Sequence, residues 1–166
     1  MQIEVKIRGL MVDPSNGTPV VILKDLHSEM MLPIWVGTYE ANAIALEIEK
    51  TAAQRPLTHD LMRNFLIANG AHVTRVVISE LRDSTFFAVI QLIDQTGEAS
   101  FLDARPSDAI ALAMRFDCPI MVEDEVMRTA RVNEAKTDDE EEDAALPDAG
   151  DEDWPDVIGD GGDLTM

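Results

Sequence analysis

The sequence is poor in cysteine and in aromatic residues: one Cys, one Tyr, two Trp and five Phe in 166 positions. A single thiol, Cys118, makes neither an internal disulfide nor a thiolate zinc cluster, so nothing in the chain calls for an oxidising compartment. No stretch approaches the roughly 20 consecutive apolar residues of a membrane-spanning helix. The opening MQIEVKIRGL interrupts its apolar residues with charges and offers no cleavage site. A cytoplasmic protein without membrane contact is the expectation. Basic residues are scarce as well, 13 Lys+Arg against 32 Asp+Glu for a formal charge of −19. Binding that grips polyanions through a bulk positive field is excluded, because it needs a surplus of Lys and Arg to release counterions. Gly-rich phosphate loops, HExxH and a serine nucleophile elbow are all missing.

What is present divides in two. Between Thr137 and Met166 stand 13 acids and no Lys or Arg, which leaves 19 acids against all 13 bases in residues 1–136, a net of −6. The last stretch also carries Pro147, Pro155, Gly150, Gly159, Gly161 and Gly162 with too few apolar residues for a core, so 133–166 reads as a disordered acidic tail. It serves as a solubilising tail, or, through the apolar Trp154-Pro155-Asp156-Val157-Ile158 cluster, contacts a basic surface as a nucleic-acid mimic. Residues 1–132 are long enough for one domain with a real core.

Ile3, Val5 and Ile7 alternate with polar neighbours, Asp13-Pro14-Ser15-Asn16-Gly17 breaks the chain, and Pro19–Leu23 resumes it; this reads as two strands around a turn. A third strand spans Met30–Val36. Ala41, Ile44, Ala45 and Ile48 form one helical stripe. A second helix from Thr58 is expected to bury Leu61, Met62, Phe65 and Leu66 before Gly70 stops it. Strands His72–Leu81 and Thr85–Asp94 make a hairpin, Gln95-Thr96-Gly97 turns into a strand ending at Asp103, and a third helix covers Ser107–Phe116 up to Pro119. Ile120–Val122 is a last strand, followed by a short helix over Glu123–Arg131. Hairpins mixed with helices predict an α+β fold, a mixed, mainly antiparallel sheet with about three packed helices. Ala43-Ile44-Ala45-Leu46 recurs as Ala109-Ile110-Ala111-Leu112, an old duplication or two small-residue faces required for close packing.

Polar residues gather at two helix starts, Arg55-Pro56-Leu57-Thr58-His59-Asp60 and Asp103-Ala104-Arg105-Pro106-Ser107-Asp108. Capping accounts for Pro, Ser, Thr and Asp there. It does not account for two arginines, whose fork geometry suits phosphate, beside helix N-termini that are themselves anion sites. Side by side, the two starts would form one phosphate patch from Arg55, Arg105, Thr58 and Ser107. His59, with an acidic neighbour, is the general-base candidate, with Asp60 and Asp108 as catalytic partners. Asp60, Asp103 and Asp108 could supply oxygens to Mg²⁺ or Mn²⁺, which polarises phosphate and activates water. His59-Asp60 matches the dyad of all-helical metal phosphohydrolases, but this chain is rich in strands. Glu4-Val5-Lys6 matches a nuclease strand whose preceding acid is missing here. His27 and His72 read as ordinary loop and strand residues, and Trp35 and Tyr39 as core or interface packing more than base stacking.

Leu32-Pro33-Ile34-Trp35-Val36-Gly37, Glu40-Ala41, Ala43-Ile44-Ala45-Leu46, Arg55-Pro56-Leu57-Thr58-His59-Asp60-Leu61 and Ala104-Arg105-Pro106-Ser107-Asp108-Ala109-Ile110-Ala111-Leu112 strongly resemble the bifunctional nuclease domain family over about residues 1–130. The resemblance implies a compact α+β domain, often oligomeric, with members that degrade DNA and RNA. Some relatives carry a UvrB/UvrC-type helical motif after the domain, where this chain has its acidic tail. The expectation is a nuclease that hydrolyses DNA or RNA with a divalent cation, working as a homo-oligomer with a dimer favoured. The competing expectation is a non-enzymatic module that binds nucleic acid or protein and regulates.

Overall fold

Strand β1 (Gln2–Val12) turns into β2 (Pro19–Asp25) through side chains that replace missing backbone partners. Asp13 Oδ1 accepts the Ser15 amide at 2.9 Å and its hydroxyl at 2.6 Å, Asn16 Oδ1 accepts the Thr18 amide at 2.9 Å, and Gly17 takes φ +71°. The computed structural model describes residues 1–138, with side chains as far as Arg131. After β2 come β3 (Met31–Trp35), α1 (Thr38–Ile48), α2 (Thr58–Ala68), β4 (His72–Arg82), β5 (Thr85–Ile93), β6 (Ala99–Ala104), α3 (Pro106–Phe116), β7 (Ile120–Glu123) and α4 (Asp124–Asp138). Asp83 and Ser84 both adopt positive φ in the two-residue β4–β5 turn, the geometry that suits the twist of a tight hairpin.

One seven-stranded sheet results, in the order β3-β2-β1-β7-β4-β5-β6. Every neighbouring pair is antiparallel except β4 with β7. The fold is therefore α+β with a mixed, mainly antiparallel sheet. Its construction rests on β7: four residues insert between β1 and β4 and join two antiparallel halves. Register then decides the faces. Val5, Val21, Leu23, Leu32, Ile34, Val76, Ile78, Ile90 and Val122 share one face and enter the core with Ile44, Ile110, Leu112, Val126 and Met127 of the helices. Lys6, Lys24, Val77, Val89, Gln91 and Phe101 occupy the opposite face, as a period of two requires.

Within the helix layer α3 lies between α1 and α2. Ala43, Ala109, Ala111 and Ala113 are all buried, so the repeated Ala-Ile-Ala-Leu has a packing role: small residues let α3 approach its neighbours closely. The second helix departs from expectation. Leu61 is 63% exposed, Phe65 is 65% exposed and Met62 is also exposed, so these three are not core residues; Leu66 alone of the expected set packs partly against the core. α2 is turned so that His59, its one buried residue, faces inward. Trp35 and Tyr39 are exposed and stand outside the core; Trp35 Nε1 donates to Asp13 Oδ2 at 3.0 Å. His72 packs edge-on against Phe116, ring centroids 5.2 Å apart. The final helix runs past the expected Arg131 to Asp138, so the expected tail lies outside the described residues from 139 onward.

Ile110 is fully buried at the centre of α3. Ile110→Ala should destabilise the domain by about 2–5 kcal/mol, read as a lower urea midpoint at an unchanged slope.

Candidate functional site

The site is assembled where three helices begin or cross. At α2, Asp60 in the first turn reaches back so that its Oδ2 accepts the Leu57 amide at 2.9 Å, which satisfies one of the free N–H groups of the helix start. At α3, Pro106 occupies the first helical position, where its missing N–H costs nothing. At α1, Gly37 precedes the helix and the Glu40 carboxylate folds back into the space that a Cβ on residue 37 would fill. A Cβ at 37 would push that carboxylate aside, while the backbone angles of Gly37 are open to any residue.

Two hydrogen-bonded chains run through this junction. In the first, Asp108 Oδ1 meets His59 Nε2 at 2.9 Å, Asp108 Oδ2 accepts Arg105 Nε at 2.8 Å, and Arg105 donates through a terminal nitrogen to Glu40 Oε1 at 2.6 Å. In the second, Arg115 Nε donates to Asp60 Oδ1 at 2.7 Å, and its terminal nitrogens donate to the carbonyls of Ala111 at 2.8 Å and Ala43 at 3.1 Å. Arg63 Nε in turn donates to the Arg115 carbonyl at 2.9 Å. Arg115 is 3% exposed with Glu47 3.9 Å away. Its donors must therefore be met within the protein, and α1, α2 and α3 each supply an acceptor. Inward rotation of His59, Asp60 and Arg63 is what turns the apolar stripe of α2 outward.

Electrostatics follow from the same contacts. Partial burial pushes the Asp60 carboxyl up, but the Leu57 amide and the Arg115 guanidinium outweigh it and hold it below the usual carboxylate range. Hydrogen bonds donated to Asp108 first and Glu40 second raise Arg105 further above its ordinary value. The Asp108 carboxylate is acceptor-only, so it places a proton on His59 Nε2 and leaves Nδ1 as the basic nitrogen. Nδ1 has no protein partner among the described residues, in which no buried side-chain nitrogen or oxygen is unsatisfied; it therefore reaches solvent at the edge of the site.

His59, Asp108 and Arg105 are thus brought together. Asp60 is the next residue on α2 but turns into the Arg115 chain. Arg55 lines a separate shallow cleft of about 330 Å³ with Glu47, Asp60, Arg63 and Arg115, so the single Arg55–Arg105 patch expected from the sequence divides into two neighbourhoods. Thr58 is an exposed first helical residue and Ser107 is buried at the second position of α3; neither side chain caps its helix. Asp103 pairs across from Val89 on the sheet face away from the helices. Asp60, Asp103 and Asp108 accordingly do not converge within one chain, and no three His, Cys, Asp or Glu side chains among the described residues are placed to hold a metal ion. Glu40, Arg63 and Arg115 were not among the expected site residues. The signal for Arg115 was available: it is the lone base in Ala-Ile-Ala-Leu-Ala-Met-Arg-Phe, seven residues after Asp108 and hence two turns along one helix face.

A family model described as the bifunctional nuclease domain matches residues 21–135, a span that contains every residue of the helix junction. Two proteins described as uncharacterized, from two strains of Mycobacterium tuberculosis, are each 38% identical to this chain over 143 residues, 86% of this chain and 85% of theirs.

Arg115→Met should destabilise the fold by about 3 kcal/mol, because it strands a partly buried carboxylate. The pH dependence has a definite sign. Asp60 is depressed in the fold, so its contribution is complete above its unfolded value of about 3.9 and disappears as pH falls through the lower folded value. The gap in urea midpoint between wild type and Asp60→Asn should be constant at about pH 6–8 and close towards about pH 2.

Proposed function

Because the chain belongs to the bifunctional nuclease domain family, we propose that it hydrolyses phosphodiester bonds of DNA or RNA at the junction of α1, α2 and α3. The observation that carries this reading is the His59–Asp108 pair, which leaves Nδ1 of His59 without a protein partner among the described residues. Asp108 fixes the tautomer, and His59 Nδ1 takes a proton from water as the water oxygen attacks phosphorus, the P–O bond to one sugar oxygen breaks, and that oxygen leaves and is protonated by solvent. The N-terminal ends of α2 and α3 present partial positive charge to the phosphate. Arg105 adds donors: Nε and one terminal nitrogen serve Asp108 and Glu40, the other terminal nitrogen has no partner among the described residues, and the side chain is 66% exposed. Arg55 binds the substrate backbone further along, from its own cleft. The residues of one chain do not fit a three-carboxylate centre, so no step is routed through Mg²⁺ or Mn²⁺ bound by Asp60, Asp103 and Asp108.

One observation favours the second reading, a non-enzymatic binding or regulatory module: Arg105, Asp108, Asp60 and Arg115 already satisfy one another, as a purely structural clamp would. Cleavage assays on single-stranded DNA and RNA, without metal and with Mg²⁺ or Mn²⁺, separate the two. A general base contributes about 10²–10⁴-fold, so His59→Ala should lose activity on that scale while retaining its fold. Turnover by His59→Ala and Asp108→Asn equal to wild type would sink the site. Binding without turnover under every metal would establish the module instead.

The functional unit in this reading is a homo-oligomer, with a dimer favoured. The acidic tail competes with nucleic acid for the cations near the junction. Removal of residues 139–166 should then raise nucleic-acid affinity at low salt, and unchanged affinity would leave the tail a solubilising role.

A further inference from the structure

The clamp has left α2 inside out. His59, Asp60 and Arg63 face α3, and Leu57, Leu61 and Phe65, spaced four apart on one stripe, face solvent. Met62 is exposed beside them. All three ionisable residues of Thr58–Ala68 are used inward, so the outward surface of the helix carries no charge. That is unusual on a chain whose residues are 27% charged. Apolar surface of this kind on a soluble protein marks a contact.

α2 and β6 border the same edge of the domain. Gly70, just past the end of α2, sits against Gln95 in the β5–β6 turn, and the start of α2 meets the start of α3, which follows β6 directly. β6 is the terminal strand of the sheet, with Phe101 and Leu102 exposed. At about 200 Å² for a fully exposed large side chain, Leu57, Leu61, Met62 and Phe65 of α2 with Leu102 on the helix-facing side of β6 amount to roughly 500 Å² per copy, the size of a small, reversible pairing; Phe101 lies on the opposite face of the sheet.

We propose that the outward face of α2 is the contact between two copies of this chain, packed antiparallel about a twofold axis near Leu61. The charge pattern selects this occupant. Nucleic acid and the acidic tail both need cations; these lie in the Arg55 cleft beyond the Leu57 end of the face, and the stretch from Leu61 to Phe65 offers none outward. A second copy repels the first over most of its surface and can approach only where neither carries charge. The stripe is also self-complementary: a twofold at Leu61 sets Leu57 of each copy on Phe65 of the other, over a length of about 12 Å. The pairing deepens the homo-oligomer part of the proposed function and is independent of the nuclease part, because it is read as mass and not as cleavage. It also ties assembly to the site, since α2 carries the contact on one side and His59 and Asp60 on the other.

Light scattering on the full-length chain at tens of micromolar should give the mass of two chains. Leu61→Glu and Phe65→Glu should each raise the dissociation constant by about 30-fold or more and give the mass of one chain with an unchanged far-UV spectrum. A single-chain mass for wild type, or a two-chain mass that survives both substitutions, overturns the proposal. Leu61→Cys supplies a second arm that does not depend on a disruptive charge. It should form an interchain disulfide in air, while Cys118, whose thiol burial pushes up to about 11, stays unreactive. Failure of Leu61→Cys to cross-link overturns the axis. A monomeric wild type with α2 amides still protected from exchange gives the face to another segment of the chain and overturns the pairing.

Discussion

A guanidinium shut away from water is the constraint on which the helix layer depends. Arg115 sits 3% exposed at the end of α3, and a charge that cannot shed its proton must find its acceptors inside. Asp60 supplies the charge, and the carbonyls of Ala43 and Ala111 supply the rest. Those acceptors belong to all three helices. Neither α1 nor α2 can slide or rotate on α3 without stranding a donor, which makes the network a positional lock more than a source of net stability.

The lock explains why the apolar stripe of α2 points the wrong way for a monomer. A helix of this composition gains most by burying Leu61 and Phe65. It turns them outward because His59, Asp60 and Arg63 are committed to α3, and only Leu66 still reaches the core. Polar recognition thus overrides hydrophobic patterning in this one element, whereas in α1, α3 and every core strand the two agree. Places where a sequence breaks its own pattern without internal compensation tend to be sites of function or contact.

Much of the architecture was legible because its causes are local. Alternation marked the strands, Asp13, Asn16 and Gly17 marked the first turn, and Gly70 and Pro119 marked helix ends, each through backbone preferences that act over a few residues. The α2 stripe was legible as a stripe, but periodicity states only that a face is apolar, not what it faces. The partners that decide the matter, Asp60 with Arg115 and His59 with Asp108, lie 55 and 49 residues apart, beyond the reach of any spacing rule. Asp103 is a different case. Leu102 and Asp103 are adjacent in a strand, so a period of two places them on opposite faces; with Leu102 opposite core residue Ile90, Asp103 had to leave the helix side and with it the expected metal set.

Charge balance limits how this junction can hold a phosphate. Glu40, Glu47, Asp60 and Asp108 stand against Arg63, Arg105 and Arg115, so the junction has no cationic surplus of its own. An anion there meets the one Arg105 terminal nitrogen that has no partner among the described residues, and for the other donors it competes with the Glu40 and Asp108 carboxylates. Glu40 is the more replaceable of the two: it holds one terminal nitrogen, while Asp108 engages Nε and that same nitrogen. Gly37 is what lets Glu40 lie close enough to compete. An anion that displaced Glu40 would leave the Asp108–His59 pair intact, and α1 would stay held through the Ala43 carbonyl on Arg115. Recognition by a few donors under local competition is the one mode open to a domain that carries net negative charge, since it has no bulk field to draw a polyanion in.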